Sequence, residues 1–347
     1  MSREKRKLDH IEHALKTGQA GDNGLEDVKF VHQSLPNSSV EAVDLSTSLA
    51  TLSFDAPFMI NAMTGGGGTA TEGINRQLAE IAAHFHVPIA VGSQMAALRD
   101  PDQEQSFKVV REYNKEGLVF ANLGSEATVE QAKRACDLIK ADLLQIHINT
   151  VQELVMPEGD RSFDGALERI SQIQEALPIP VMVKEVGFGM SKEAATKLAP
   201  IVDAIDVGGY GGTNFSKIEN ARREMPYSFF DDWGISTAAS IVETREGFSK
   251  GVSATGGIRS ATEIAKSIAL GADMCGMAGY VLKLLQNGGQ KHAIQTLSHM
   301  LEELTFIMTA LGASDVGALK QVPLVIQGNT YHWLSQRDLH PEKFARR

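Results

Sequence analysis

Short apolar runs recur along this chain at 58–63, 88–92, 118–122, 142–148, 180–186, 202–208, 252–256 and 272–277, and nearly every one ends in polar or glycine-rich residues. The endings read Asn61-Ala62-Met63-Thr64-Gly65-Gly66, Gly92-Ser93-Gln94, Asn122, His147-Ile148-Asn149, Lys184-Glu185, Gly208-Gly209, Gly256-Gly257 and Ala278-Gly279. The runs are rich in Val and Ile, as strands covered on both faces should be. Helical patterns separate them. Ile74, Leu78, Ile81, Ala82 and Phe85 share a helix face within 72–85, and Ile264, Ala265 and Ile268 do so within 260–270. An α/β chain with this rhythm is either a doubly wound open sheet or a closed barrel. The open sheet would gather its ligand mainly at one switch point, whereas a (β/α)8 TIM barrel brings all its strand ends to one face. Because the polar endings span the whole series, a barrel is expected, with its function at that face.

A chain of 347 residues with 43% hydrophobic content can bury a large core, and barrels of this size form one domain. The expected layout is an N-terminal extension over 1–57, the barrel over 58–311 and a C-terminal tail over 312–347. Alternating apolar and polar residues over 40–54 predict a small β hairpin capping the barrel's N-terminal face. The connection 210–233 is long, carries Asn214 and the Phe229-Phe230 pair, and reads as a lid or an oligomer contact. A stripe of Ile294, Leu297, Leu301, Leu304, Met308 and Leu311 predicts a helix over 290–311 packed on the barrel. The formal charge of -10 argues against a general nucleic-acid binder, so any anion must be held by local cations. Cys136 and Cys275 lack metal-ligand or redox spacing, which fits structural thiols in a reducing cytosol. No apolar stretch is long enough to span a bilayer, and the charged N-terminus lacks the apolar segment of a secretory signal. A cytoplasmic protein without membrane insertion is expected.

The strongest anion signal is Thr255-Gly256-Gly257-Ile258-Arg259-Ser260 at the seventh strand end, joined by Ala278-Gly279 after the eighth. Glycines let backbone N–H groups approach phosphate oxygens, and a following helix adds its dipole. A tight turn without a ligand would use the same glycines. The run from Arg3 to His10 suits either a solvated tail or a clamp in which Arg6, Lys7 and His10 hold a diphosphate. Lys184 closes an apolar strand, where an unpaired ammonium is costly to bury. It fits a counterion to an anionic ligand, a Schiff-base nucleophile or an ion pair with Glu185. His147 and Asn149 lie on one side of an extended strand and can reach one ligand, although a histidine satisfied within the core has the same signature. Gln152-Glu153 sets one carboxylate beside a neutral amide, which suits either Mg²⁺ shared with substrate phosphates or a helix N-terminal carboxylate. Ser93 and Asn122 read equally as turn groups or ligand contacts.

Further motifs join these residues in order. R-K-x-x-H covers Arg6, Lys7 and His10; N-A-M-T-G-G starts at Asn61, G-S-Q at Gly92 and A-N-L-G at Ala121. H-x-N-x-x-Q-E starts at His147, K-E-V-G at Lys184, G-G-T-N at Gly211 and G-G-I-R at Gly256. Together they closely resemble the type 2 isopentenyl-diphosphate isomerases, flavoprotein barrels that interconvert isopentenyl and dimethylallyl diphosphate. The resemblance runs from Arg6 roughly to Leu311. It implies FMN held by Ala62, Met63, Thr64, Ser93, Asn122, Lys184, Thr213, Gly257, Arg259, Ala278 and Gly279, with NADPH as its reductant. It implies a prenyl diphosphate substrate met by Arg6, Lys7, His10, His147, Asn149 and Gln152, and Mg²⁺ on Glu153. Catalytic roles would fall to His147, Gln152 and Lys184, with Glu219 as a second proton-transfer group. Such enzymes usually form tetramers or octamers, so a homo-oligomer is expected.

The nearest rival is an FMN-dependent 2-hydroxy-acid oxidase or dehydrogenase. Those enzymes carry a histidine base just after the sixth strand, where this chain reads Asp206-Val207-Gly208-Gly209-Tyr210-Gly211-Gly212-Thr213. A nucleotide-dehydrogenase barrel would want a nucleophilic cysteine in a loop, but Cys275 falls in a strand and Cys136 in a helix. A non-catalytic flavin or phosphate-binding protein would need fewer converging polar groups than these.

Overall fold

The computed structural model describes residues 21–347, apart from Met63 and Gly67. A short strand β1 (Val28–Phe30) and a hairpin of β2 (Thr47–Leu49) and β3 (Leu52–Phe54) lead into eight parallel strands. These are β4 (Phe58–Ile60), β5 (Ile89–Ala90), β6 (Val119–Gly124), β7 (Leu143–Ile148), β8 (Val181–Glu185), β9 (Ala204–Asp206), β10 (Gly251–Thr255) and β11 (Met274–Met277). They close in chain order, with β11 pairing back onto β4. Each expected apolar run holds one of them, so the α/β barrel reading stands.

Strand alternation sorts the side chains into two cores. Val119, Ala121, Leu144, Ile146, Val181, Val183 and Ile205 face outward and pack under the surrounding helices. Met59, Phe120, Leu143, Met182, Ala204 and Met274 face inward and fill the lower barrel. The expected hairpin sits beneath them: Leu49 and Phe54 join that inner cluster and close the N-terminal face. Gly251, at the start of β10, makes room, since a Cβ there would lie 2.8 Å from Leu49 Cδ1.

The C-terminal stripe also packs as expected. Leu297, Leu304 and Met308 are buried in the outer core. Their helix, Gly279–Leu311, breaks at Gly289 (φ 71°, ψ -177°), so the crossover helix after β11 and the stripe helix are two rods meeting at a glycine. The segment expected as a tail is built in. β12 (Leu324–Ile326) pairs antiparallel with β1, and the helix Gly328–Gln336 packs on the helix Thr237–Gly247. Arg337 there donates to Glu243, a carboxylate with no exposed surface. Among the described residues no helix is long and apolar enough to cross a membrane.

Candidate active site

One turn above the apolar floor, the barrel interior becomes polar. Asn61, Asn122, Gln145, Lys184 and Asp206 point inward there, all buried. Asn61 Nδ2 donates to Asp206 Oδ2 (2.6 Å) and to Thr255 Oγ1 (2.8 Å), and Thr255 donates onward to Asp206 (3.0 Å). Gln145 Nε2 donates to Asn61 Oδ1 at 3.0 Å, and Asn122 Nδ2 to Gln145 Oε1 at 3.0 Å. His147 Nδ1 meets Asn122 Oδ1 at 3.0 Å. A buried polar group is tolerable only when hydrogen-bonded, and this chain satisfies its members in series across the barrel. Gly276 of β11 belongs to the same layer, because a Cβ there would strike Thr255 Oγ1 and Asn61 Nδ2. The sequence reading assigned no role to Gln145 or Asp206 and took Thr255 only as the first residue of the anion motif after the seventh strand. Their signal was a polar residue in register with the inward face of an apolar strand, as in L-L-Q-I-H-I.

Lys184 belongs to this layer, and strand alternation removes one of its three readings. Its neighbour Glu185 points to the opposite face, so the two side chains form no ion pair. Glu185 Oε2 instead accepts the N–H groups of Val186, Gly187 and Phe188 at 2.6, 2.9 and 2.7 Å. Burial pushes the Glu185 carboxyl up to about 7 against those three donors. Among the described residues, Lys184 Nζ donates to the Glu185 carbonyl at 2.7 Å, and across the strands it faces Asp206. Burial, with the Lys184 charge second, pushes the His147 imidazole down to about 4, so it is neutral at neutral pH.

Lys184 lines a cavity together with Ala62, Thr213, Gly257, Arg259, Ala278 and Gly279. Seven residues expected at one cofactor are thus drawn together from five strand ends. The glycines are required by geometry: Gly257 has φ +75°, and its Cβ would lie 2.2 Å from the Gly211 carbonyl oxygen. Ser260 caps the helix Ala261–Leu270, while the helix Gly279–Leu311 starts, among the described residues, with no side-chain cap, and its first residues Gly279 and Tyr280 line the cavity. Arg259 donates to the Gly211 carbonyl at 3.2 Å, but among the described residues its buried Nε has no partner. Asn23, unforeseen from sequence, straps the N-terminal extension to this loop through Gly257 O (3.0 Å) and Glu263 Oε1 (2.9 Å).

The other expected cofactor residues lie along the adjoining strand ends. The Thr64 hydroxyl donates to Asn75 Oδ1, which ties it to the helix Gly68–Phe85. Ser93 is half-buried between Gly92, whose N–H donates to Thr64 O at 3.0 Å, and Gln94, whose Oε1 accepts the Asn122 N–H at 3.1 Å. Met63, Arg6, Lys7 and His10 lie outside the described residues.

A second group forms beside β7. Asn149 ends the strand and starts the helix Thr150–Val155, so it leaves the extended path that would have aligned it with His147. Its Nδ2 donates to Gln152 Oε1 (3.2 Å) and Glu153 Oε1 (2.9 Å), while Gln152 Nε2 donates to Glu219 Oε1 (3.1 Å). Glu219 is fully buried and bridged to Arg222. Glu219 comes from the helix Phe215–Asn220 within the long connection after β9. Glu153 is the lone carboxylate expected; among the described residues no cluster of three or more His, Cys, Asp or Glu side chains forms a metal cage. Around the rest of that connection Met225, Tyr227, Phe229 and Trp233 are exposed.

A wider cavity opens at the opposite face, between the hairpin and residues 339–347, and four of the Lys and Arg side chains that line it are committed. Arg245 and Lys320 share Asp273, Lys250 caps the Val202 carbonyl, and Arg347 caps those of Ala269 and Lys320. The residues expected to carry chemistry gather instead at the strand C-termini.

The family model for FMN-dependent dehydrogenases matches residues 93–325. The chain is 55% identical over 349 residues to the isopentenyl-diphosphate delta-isomerase of Bacillus licheniformis, covering 100% of both. It is 54% identical over 347 residues to that of Geobacillus sp. (strain WCH70), covering 99% of each. Among solved structures it superposes on an active chimera of (S)-mandelate dehydrogenase with a TM-score of 0.66 and 15% identity, covering 93% of this chain and 98% of that one.

Proposed function

The chain belongs to the FMN-dependent isopentenyl-diphosphate isomerase family, and from that premise we propose that it interconverts isopentenyl and dimethylallyl diphosphate at the C-terminal mouth of its barrel. The observation that carries the reading is Lys184, a buried ammonium lining a glycine-walled cavity with a backbone carbonyl as its partner. FMN suits these residues. The unpartnered Arg259 Nε and the uncapped helix at Gly279 want an anion, and the glycine wall leaves room for one. The residues to hold it are Ala62, Met63, Thr64, Ser93, Asn122, Lys184, Thr213, Gly257, Arg259, Ala278 and Gly279. When bound and reduced, FMN supplies an electron-rich ring able to exchange a proton and to stabilise positive charge beside it.

Moving the double bond adds a proton at one carbon and removes another at an allylic carbon, with cationic character between. The protein must therefore hold an anion at one end of the substrate and steer protons at the other. Lys184 would balance the negative charge of the reduced cofactor. Gln152, braced between Asn149 and Glu219, orients the reacting end, and Glu219 moves the second proton. His147 and Asn149 meet the diphosphate, joined by Arg6, Lys7 and His10. Glu153 would hold Mg²⁺, which takes oxygen ligands and screens phosphate charge, with the Asn149 amide steering that carboxylate. NADPH would prime the flavin, and a homo-oligomer is the working assembly.

Purified protein should be yellow, bleach on anaerobic reduction, and with Mg²⁺ convert isopentenyl diphosphate without stoichiometric NADPH consumption. Reduction of the flavin by a 2-hydroxy acid, with no isomerisation, would replace this reading by the oxidase one.

A further inference from the structure

The polar layer of the barrel has a direction, and a partner that cannot reverse fixes it. The Asn61 amide nitrogen lies 2.6 Å from Asp206 Oδ2, a carboxyl that also takes the Thr255 hydroxyl and the Gly208 N–H. The Ala62 N–H can only donate, so the Asn61 atom 2.8 Å from it is the oxygen. With Asn61 pinned at both ends, Gln145 must present Nε2 to Asn61 and Oε1 to Asn122. Asn122 must then turn Nδ2 to Gln145 and Oδ1 to His147. Its backbone is locked as well, since the Asn122 N–H donates to Gln94 Oε1 and Gln94 Nε2 is tied to the Ala135 carbonyl at 2.9 Å.

We propose that Asp206, acting through Asn61, Gln145 and Asn122, fixes the proton of neutral His147 on Nδ1 and leaves Nε2 as the lone-pair nitrogen. Gln145 is the positioning residue at the middle of this chain. Free imidazole in water favours the other tautomer, so the protein imposes this one. The consequence is that a single ring nitrogen, in a single ring orientation, is offered to the ligand. This inference rests on the reading of His147 as a diphosphate contact, but its first test does not require activity.

In substrate-free protein labelled with ¹⁵N at histidine, the His147 resonances, identified by their loss in His147→Gln, should carry a protonated Nδ1 and an unprotonated Nε2. A protonated Nε2 in the wild-type protein overturns the proposal without any variant having to fold. Gln145→Met, which removes the acceptor facing Asn122 Nδ2, should erase the Nδ1–H signature, whereas the same-sized Gln145→Glu, whose carboxylate still accepts from Asn122, should keep it. Gln145→Met should raise KM for isopentenyl diphosphate about tenfold while changing kcat less than about twofold. An unchanged tautomer in folded Gln145→Met also overturns the proposal. An Nδ1–H tautomer in a reduced, Mg²⁺-loaded protein that does not isomerise would sink the functional reading and leave the chain of hydrogen bonds standing.

Discussion

Lys184 is the residue whose surroundings make the strongest demand. Its charge is buried, and strand alternation denies it the adjacent carboxylate, so Lys184→Ala should release the hold on the anionic reduced cofactor. Isomerisation should fall by roughly 10²-fold or more, read as kcat with reduced FMN in excess. Glu185 gives a pH signature on FMN-free protein. Its carboxyl sits at about 7 in the fold against an ordinary 4.5, so the folded state binds the extra proton between those values. Stability from this group is complete below 4.5 and is lost as pH rises through 7. Glu185→Gln keeps an oxygen for the three N–H donors and removes the titration. Its denaturant midpoint, relative to wild type, should climb over that window by the equivalent of about 2–3 kcal/mol. Gly257→Ala should cost roughly 1–3 kcal/mol for the left-handed backbone alone. It should also lose FMN on gel filtration, because the added Cβ faces the Gly211 carbonyl.

Two devices at the scale of elements hold the barrel ready. The hairpin seals its floor, and truncating the buried Leu49 to Ala should cost about 2–4 kcal/mol by leaving a cavity under Gly251 and Met274. A thermal melt of the variant would measure this, with the strand-end cavity and FMN content expected to be unchanged. The C-terminal helix is locked by Arg337, whose Nε donates to Glu243 at 2.8 Å while Trp333 Nε1 adds a third hydrogen bond at 3.0 Å. The alternating pattern over 40–54 announced the hairpin, since its period-2 signal is local. Nothing local announced the role of 312–347. Its apolar residues follow no barrel period, and β12 forms only because β1, some 300 residues earlier in the chain, offers an edge.

For the molecule as a whole, the division of labour between the barrel's ends follows from where its polar residues fall. The lower interior is packed with Met, Phe and Leu, the layer above with amides and one ammonium, and the glycine loops and carboxylates lie around the rim. Removing divalent metal with EDTA should therefore stop isomerisation while leaving the yellow colour. Glu153, the group assigned to Mg²⁺, is not among the residues of the glycine-walled cavity assigned to FMN. Flavin released along with the metal would contradict that separation.

The sequence alone determined the class of fold and most of the rim, because both are written in short-range patterns. Strand and helix periods recur every few residues, and the glycines at 256 and 257 mark a backbone that other residues cannot follow. The tertiary structure alone decided how the inward side chains meet. Asn61, Gln145 and Asp206 lie on three different strands, and only closing the barrel sets them within hydrogen-bond reach. It also decided that Glu185 turns away from Lys184 and that Asn149 leaves His147 for Gln152 and Glu153. A strand's period says which residues share a face. Which partner each one finds there depends on register and closure, and those are properties of the whole chain.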